Sequence, residues 1–128
     1  MFSDVWKWAG AYRTTDKNIG IPWWQVTTHV VELLLDTAAW TGGGLIWPVD
    51  EIGARFHHRL ISIHPFPNGN GRHSRAAADL LLMALGVEPF TWGQENLADP
   101  GDVRSRYLAA LRAADRHDFD LLLEFVRS

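Results

Sequence analysis

The hydrophobic positions of this chain recur with the period of an α-helix in several separate segments. The first clear segment begins near Thr27 or Thr28 and continues to Trp40, and three consecutive glycines follow at 42–44. Its apolar positions lie close to one another on a helix surface: Val30, Val31, Leu34, Leu35 and Ala38. The pattern predicts a helix that the glycines end.

Two more predicted helices flank a segment rich in glycine and proline. Asp50 can cap the first, which runs to Ile63 before Pro65 and Pro67. Its apolar residues lie near one face: Ile52, Phe56, Leu60 and Ile63. The second helix runs from about Gly71 to Leu85, with a periodic set of buried positions: Ala76, Ala77, Leu80, Leu81, Ala84 and Leu85.

The remaining segments predict shorter elements. Residues 2–8 fit a short helix, and residues 14–25 mix glycine, proline and polar residues in a way that predicts a loop or short hairpin. A helix entered from Asp102 runs to about Ala114, and residues 121–126 form a last one. Without a repeat or linker, we expect one domain over residues 1–128, an all-α bundle with one irregular hairpin.

Composition agrees with a compact domain. The chain has 128 residues, 47% of them hydrophobic, which is enough to bury a core. It has no cysteine, so nothing marks it as secreted and a cytoplasmic location is expected. The apolar runs are far shorter than the roughly 20 residues that span a bilayer, so no membrane association is expected.

The distribution of charge along the chain says more about the expected ligand than the net charge does. A net charge of -3 argues against direct nucleic acid binding. Yet no acidic residue lies between Glu51 and Asp79, while basic and histidine side chains concentrate there: Arg55, His57, His58, Arg59, His64, Arg72, His73 and Arg75. This locally positive segment suits a compact anionic ligand.

The loop between the two central helices combines groups that can bind and transfer a phosphate. Gly69 and Gly71 allow successive N–H groups to converge at the N-terminus of the next helix, which favours an anion. Arg72 and Arg75 lie three apart on its first turn and can meet phosphate oxygens. His64 can accept a proton from a hydroxyl. The alternative is an ordinary turn with solvated arginines, but the coincidence of these groups favours a site.

This loop, residues 64–75, resembles the signature of Fic (Fido) domains: His-x-Phe, an acidic residue, Gly-Asn-Gly-Arg, and an arginine three residues further on. The likeness extends to the start and the closing helix of the domain, at Trp8, Ala9, Gly10, Arg13, Tyr107, Ala110, Leu111 and Ala114. Residues 56–92 look closest to the mobile mystery protein B subgroup. The implied fold is a Fic-type helical bundle with a short β-hairpin flap, to which Trp23 and Trp24 can belong.

The resemblance implies a protein adenylyltransferase with ATP as its substrate. His64 would be the general base that activates a Ser, Thr or Tyr hydroxyl of a target protein. The phosphates would be held by Gly69, Asn70 with its amide as an extra donor, Gly71, Arg72 and Arg75. AMP would be transferred and pyrophosphate released, and Phe66 would anchor the loop in the core.

The sequence departs from the family pattern at Asn68, where an acidic residue usually binds Mg²⁺. An amide is a poorer ligand for magnesium, so the metal would depend on the phosphates. The reaction is therefore expected to be attenuated, with two alternatives: a binding module without catalysis, or a relative that transfers another phosphate-containing group. Gly71 argues against the kinase-like branch, which has lysine there.

Other polar residues carry weaker expectations. Thr91, Glu95 and Asn96 match the spacing of the family's inhibitory helix, but we interpret the match as chance. Such a helix would be trimmed, absent or supplied by a separate antitoxin-like protein. We expect His57 or His58 to be a satisfied polar residue at the end of its helix near the loop, and Asp79 to be a buried hydrogen-bonding residue. Zinc binding by the histidines is not expected.

Overall fold

The structure, a computed structural model, describes residues 11–17, 19–94 and 99–128. Within these ranges the chain forms a short 3₁₀ helix, Trp23–Gln25, and five α-helices. They are α1 (Val26–Gly42), α2 (Val49–Ile63), α3 (Asn70–Ala84), α4 (Pro100–Asp115) and α5 (Asp120–Val126). The all-helical prediction is confirmed for the described part of the chain. The helix predicted at residues 2–8 lies outside it.

Helix α2 lies at the centre and packs against α1, α3 and α5, while α4 packs against α5. Its sequence explains this position, because Ile52, Phe56 and Leu60 are fully buried along one face. At Gly53 the neighbours approach so closely that a Cβ atom would lie 2.9 Å from the Phe90 ring. Glycine therefore lets the core close around α2, and α2 leads directly into the loop that carries the candidate site.

Several helix ends differ slightly from the predictions. Helix α4 begins at Pro100 because the Asp99 side chain accepts a hydrogen bond from the Gly101 N–H at 2.6 Å. Asp102, from which this helix was expected to begin, is instead an acidic residue of the first turn. The cap predicted at Asp50 is likewise wrong, because α2 begins after Pro48 and Asp50 lies in its first turn. Helix α1 continues past Trp40 to Gly42, where flexible glycine backbone finally ends it.

The predicted hairpin is absent from the described residues before α1, which contain no strand. Pro22 instead starts a 3₁₀ turn, with its carbonyl accepting from the Gln25 N–H at 2.9 Å. The Trp23 N–H donates to the Asp16 carboxylate at 2.8 Å, so a side chain takes a backbone group that a strand partner would need. Among the described helices, none is long and apolar enough to span a bilayer.

Candidate active site

The candidate site begins where α2 ends. His64 caps α2 in the left-handed conformation, with φ 54° and ψ 60°, and this reversal turns the chain away from the helix axis. The Arg13 guanidinium, with the residue only 2% exposed, donates to the His64 carbonyl at 2.6 Å and to the Ile63 carbonyl at 3.2 Å. It also donates to the carbonyls of Thr15 and Ile21. Arg13 therefore holds the loop from outside, a role that the sequence did not reveal.

Gly20 packs directly against this turn. Its φ is +95°, and a Cβ atom there would lie 2.7 Å from the His64 Cβ and 3.0 Å from the Arg13 guanidinium. No side chain larger than hydrogen fits without moving His64 or Arg13. The segment before α1 thus forms one wall beside His64.

The His64 imidazole is held neutral. Burial lowers its pKa, and the positive charges of Arg13 and Lys17 lower the pKa further. Its Nδ1 is buried and has no hydrogen-bond partner among the residues that the structure describes. At neutral pH one ring nitrogen carries a lone pair that can accept a hydroxyl proton, and because Nδ1 is buried, the nitrogen that a substrate can meet is Nε2.

Inside the loop, Phe66 is fully buried and packs between the rings of Tyr12 and His73, at centroid distances of 5.5 and 4.6 Å. The expected anchoring role of Phe66 is confirmed. The Asn70 side chain accepts from the Phe66 N–H at 2.9 Å and donates to the Phe66 carbonyl at 2.8 Å. This corrects the expectation that the Asn70 amide faces a ligand, because the residue is only 4% exposed and its amide shapes the loop instead.

The N-terminus of α3 is open to a ligand. Gly69 adopts a left-handed conformation with φ +74°, and no side chain caps the helix. A Cβ atom on Gly71 would have no neighbour within 4 Å. The first-turn N–H groups and the helix dipole therefore point toward space where an anion can bind.

The two arginines of this turn have different surroundings. Arg72 is exposed, whereas Arg75 is half-buried, with its Cζ atom 5.0 Å from the centre of the Tyr107 ring. The Nε of Arg75 is buried without a hydrogen-bond partner in the described chain. The guanidinium also hydrogen-bonds to the Tyr107 side chain, so Arg75 is held against Tyr107 with only part of its surface open to a ligand.

Arg75 also lines a cavity of about 360 Å³ that the sequence did not predict. Its other walls come from three separate parts of the chain: Trp92, Gly93, Gln94, Pro100, Val103, Arg104, Tyr107 and Phe125. A pocket that combines aromatic side chains with the guanidinium groups of Arg75 and Arg104 suits a flat ring that carries phosphate. The sequence does not reveal this pocket, because Trp92 and Tyr107 are far apart along the chain and belong to no recognisable motif.

Buried polar groups support the cavity wall. His57 is fully buried in the middle of α2, not at its end as expected, and its Nε2 lies 2.7 Å from the Tyr107 hydroxyl. Burial lowers the pKa of His57 to about 3, so this ring is neutral. Asp79 accepts from the Trp92 indole N–H at 3.1 Å and from the Phe90 N–H at 3.1 Å, which confirms its hydrogen-bonding role. His58 lies elsewhere, 2.8 Å from Asp115.

The residues of the loop do not form a metal site by themselves. Asn68 is exposed and neutral, and the other amide of the loop, Asn70, is occupied by Phe66. Among the described residues there is no group of three or more His, Cys, Asp or Glu side chains able to hold a metal ion.

Comparisons with known proteins agree with this geometry. The protein adenylyltransferase fic-1 of Caenorhabditis briggsae is 30% identical over 120 residues, which are 92% of this chain and 22% of that protein. The protein adenylyltransferase Fic of Drosophila melanogaster is 36% identical over 70 residues, 55% of this chain and 13% of that protein. The chain thus spans about a fifth or less of the length of these relatives.

A solved structure of Fic-1 from C. elegans, carrying one Glu-to-Gly substitution, superposes with a TM-score of 0.60. The two sequences are 27% identical, and the match covers 91% of this chain and 32% of that one. The Fic/DOC family model matches residues 1–82, which include the whole loop from His64 to Arg75. The chain therefore belongs to the Fic/DOC family.

Proposed function

We propose that this chain is a protein adenylyltransferase domain that transfers AMP from ATP to a hydroxyl of a target protein. One observation carries the proposal: a neutral imidazole, an uncapped helix N-terminus and Arg75 beside an aromatic cavity belong to one loop and the helix after it. The names of the relatives support it, because they are protein adenylyltransferases.

In this proposal the triphosphate lies across the N-terminus of α3. The backbone N–H groups of Gly69, Asn70 and Gly71 bind the α- and β-phosphates, and Arg72 and Arg75 bind the outer phosphates. The purine enters the cavity, where Trp92 and Tyr107 offer aromatic surface. Asn70 thus contributes through its backbone, since its side chain is bonded to Phe66.

The transfer step needs only a base and charge stabilisation from the chain. A Ser, Thr or Tyr hydroxyl of the target attacks the α-phosphorus, and His64 accepts the hydroxyl proton. The bond from the α-phosphorus to the bridging oxygen breaks, and pyrophosphate leaves with the bonding electrons. The helix N-terminus and the arginines stabilise the charge that develops on the phosphates. The target approaches past Gly20, which borders His64.

Mg²⁺ would be bound mainly by phosphate oxygens, with the Asn68 carbonyl as a weak ligand. When bound, the ion neutralises charge on the phosphates. The exposed amide at position 68 is the observation that favours the second candidate, a nucleotide- or protein-binding module with little or no catalysis. A relative that transfers another phosphate-containing group fits the same loop.

Several finer assignments belong to the same proposal. Residues 1–128 form one Fic domain that acts in the cytoplasm, bound to its target protein and regulated by a separate inhibitory or antitoxin-like protein. Nucleic acid and membrane are not among its partners. The resemblance of residues 56–92 to the mobile mystery protein B subgroup supports membership of that subgroup as part of the proposal.

The test compares two variants of the loop in the same two assays. We expect His64→Ala to abolish transfer of label from α-labelled ATP to proteins of a lysate while ATP affinity changes less than about threefold, because the base does not hold phosphate. Arg72→Ala should weaken ATP binding about tenfold in calorimetry. If His64→Ala loses ATP binding and Arg72→Ala keeps it, the assigned roles are wrong.

A further inference from the structure

Three helices meet in a small group of polar side chains behind the wall of the cavity. We call it the polar cluster, and it consists of His57 from α2, Arg75 from α3 and Tyr107 from α4. The His57 Nε2 lies 2.7 Å from the Tyr107 hydroxyl, and the same hydroxyl is hydrogen-bonded to the Arg75 guanidinium. His57 is fully buried and Tyr107 is only 7% exposed. The polar cluster therefore connects the core of the bundle to a cation of the candidate site.

The chemistry of the three groups determines the direction of both hydrogen bonds. A guanidinium has N–H donors and no acceptor, so the Tyr107 oxygen accepts from Arg75. The single hydroxyl hydrogen of Tyr107 is then donated to His57, whose Nε2 is the acceptor. Burial keeps both rings neutral, because it lowers the pKa of His57 to about 3 and raises the pKa of the Tyr107 hydroxyl. The two bonds thus run from Arg75 to Tyr107 and from Tyr107 to His57.

We propose that Tyr107, itself oriented by His57, is a positioning residue that directs the Arg75 guanidinium toward the outer phosphates of ATP. The proposal rests on the adenylyltransferase function proposed above, and it adds a specificity to that function. Tyr107 acts through Arg75 and need not contact a phosphate. The hydrogen bond that Tyr107 accepts therefore helps the site to distinguish ATP from AMP.

Two contacts with the same residue constrain the orientation of Arg75. Its Cζ atom lies 5.0 Å from the centre of the Tyr107 ring, and its guanidinium donates to the Tyr107 hydroxyl. The side chain also borders the cavity, where a ligand can meet it. A side chain that is ordered before the ligand arrives loses less conformational entropy on binding than a mobile one. Arg75 is therefore prepared to bind a phosphate, whereas the exposed Arg72 is less constrained.

ATP and AMP depend on Arg75 to different extents. Both offer a purine to the cavity and an α-phosphate to the N-terminus of α3. Only ATP has the outer phosphates that the guanidinium at position 75 would bind. A change in the orientation of Arg75 therefore weakens the binding of ATP, whereas a general change in packing weakens the binding of both nucleotides. The ratio of the two affinities distinguishes a positioning role from structural support.

Calorimetry with ATP and with AMP on the variant Tyr107→Phe tests the proposal, because this substitution removes the hydroxyl and keeps the aromatic wall. We expect the affinity for ATP to fall about fivefold to tenfold and that for AMP to change less than about twofold. The matched control is Val103→Ala, which alters an apolar part of the same cavity. It should weaken ATP and AMP by the same factor.

A double-mutant cycle with Arg75→Ala tests whether Tyr107 acts through Arg75. We expect Tyr107→Phe to cause no further loss of ATP affinity when it is added to Arg75→Ala, because the group that it positions is already absent. Tyr107→Phe by itself leaves the buried His57 Nε2 without a donor, which can impair folding. The combined variant His57→Leu with Tyr107→Phe leaves neither polar group of the pair behind, and its ATP affinity should fall by the same factor as in Tyr107→Phe.

The outcomes separate this proposal from the function on which it rests. If the ratio of ATP to AMP affinity in Tyr107→Phe equals that of the wild type, the positioning role is overturned and the adenylyltransferase function stands. Additive losses in the cycle with Arg75→Ala would also overturn the positioning role, since Tyr107 would then act independently of Arg75. A wild type that binds neither nucleotide would overturn both proposals.

Discussion

At the scale of single residues, the position of His64 depends on contacts that leave no room for change. Gly20 approaches the His64 Cβ so closely that an added Cβ atom would overlap with it at 2.7 Å. Arg13 bonds to the His64 carbonyl on the same side. A general base must lie within hydrogen-bond reach of its proton, so a displacement of about 1 Å is enough to impair it.

We therefore expect Gly20→Ala to reduce transfer activity at least tenfold while ATP affinity changes little. The substitution must move His64 or Arg13, and the positive φ of +95° adds strain for any residue with a Cβ. The control is Gly43→Ala, where a Cβ would have no neighbour within 4 Å. Rates measured with labelled ATP and affinities from calorimetry separate the two effects. Equal activity of the two variants would contradict the tight contact at Gly20.

A substitution at Asn68 is expected to increase activity, in contrast to the one at Gly20. We expect Asn68→Asp to raise Mg²⁺-dependent transfer and to tighten binding of Mg²⁺-ATP several-fold, because it adds a charged oxygen beside the phosphates. Fresh wild type must first be checked by mass spectrometry, since asparagine before glycine deamidates and would create the same residue. A wild type already as active as the variant would show that the side chain at position 68 does not limit metal binding.

At the scale of helices and loops, the sequence predicted what local physics determines. Periodicity placed α1, α2 and α3 nearly correctly along the chain. It chose the wrong face of α1, because Val31, Leu34 and Leu35 are exposed, whereas the buried side is formed by Val26, Val30, Leu33 and Thr37.

Of the two alternatives for residues 14–25, the described residues show a loop and no hairpin, because Asp16 and Pro22 hold that segment in a turn. Side-chain contacts of this kind do not follow from periodicity. The loop motif predicted that the candidate site lies on residues 64–75.

What the sequence could not predict comes from contacts distant along the chain. Arg13 and His64 are 51 residues apart, and His57 and Tyr107 are 50 apart. The direction of the Asn70 amide was wrong for a related reason, since its partner Phe66 becomes available only when the loop folds back. Such pairings depend on the packing of the helices and not on local pattern.

At the scale of the whole molecule, buried neutral histidines make stability depend on pH. Burial lowers the pKa of His57 from 6.5 to about 3 and that of His73 from 6.5 to about 4. Below pH 6.5 the unfolded chain binds protons that the folded chain does not. The stability that these residues contribute is therefore complete above pH 6.5 and is lost as the pH falls toward 3 to 4.

We expect the free energy of unfolding to fall by about 2 kcal/mol per buried histidine between pH 7 and pH 5. Urea unfolding followed by circular dichroism at several pH values measures this change. His57→Gln should make the pH dependence shallower, whereas His117→Gln, at an exposed position, should leave it as in the wild type. A wild-type stability that does not change over this range would show that these histidines are not neutral in the fold.

The hydrogen bonds from Arg13 to the carbonyls of Ile63 and His64 also affect the order in which the parts of the molecule fold. Helices α2 and α3 join through a short loop and can pair early, because neighbouring segments lose little chain entropy when they meet. The turn at His64 gains its hydrogen bonds to Arg13 only when the segment before α1 packs against it. Arg13 and His64 are 51 residues apart, and the Arg13 guanidinium then bonds to the carbonyls of Ile63 and His64. We therefore expect competence for chemistry to appear later in folding than the pairing of α2 and α3. It is also the first property to disappear when that segment detaches, while the helices themselves remain paired.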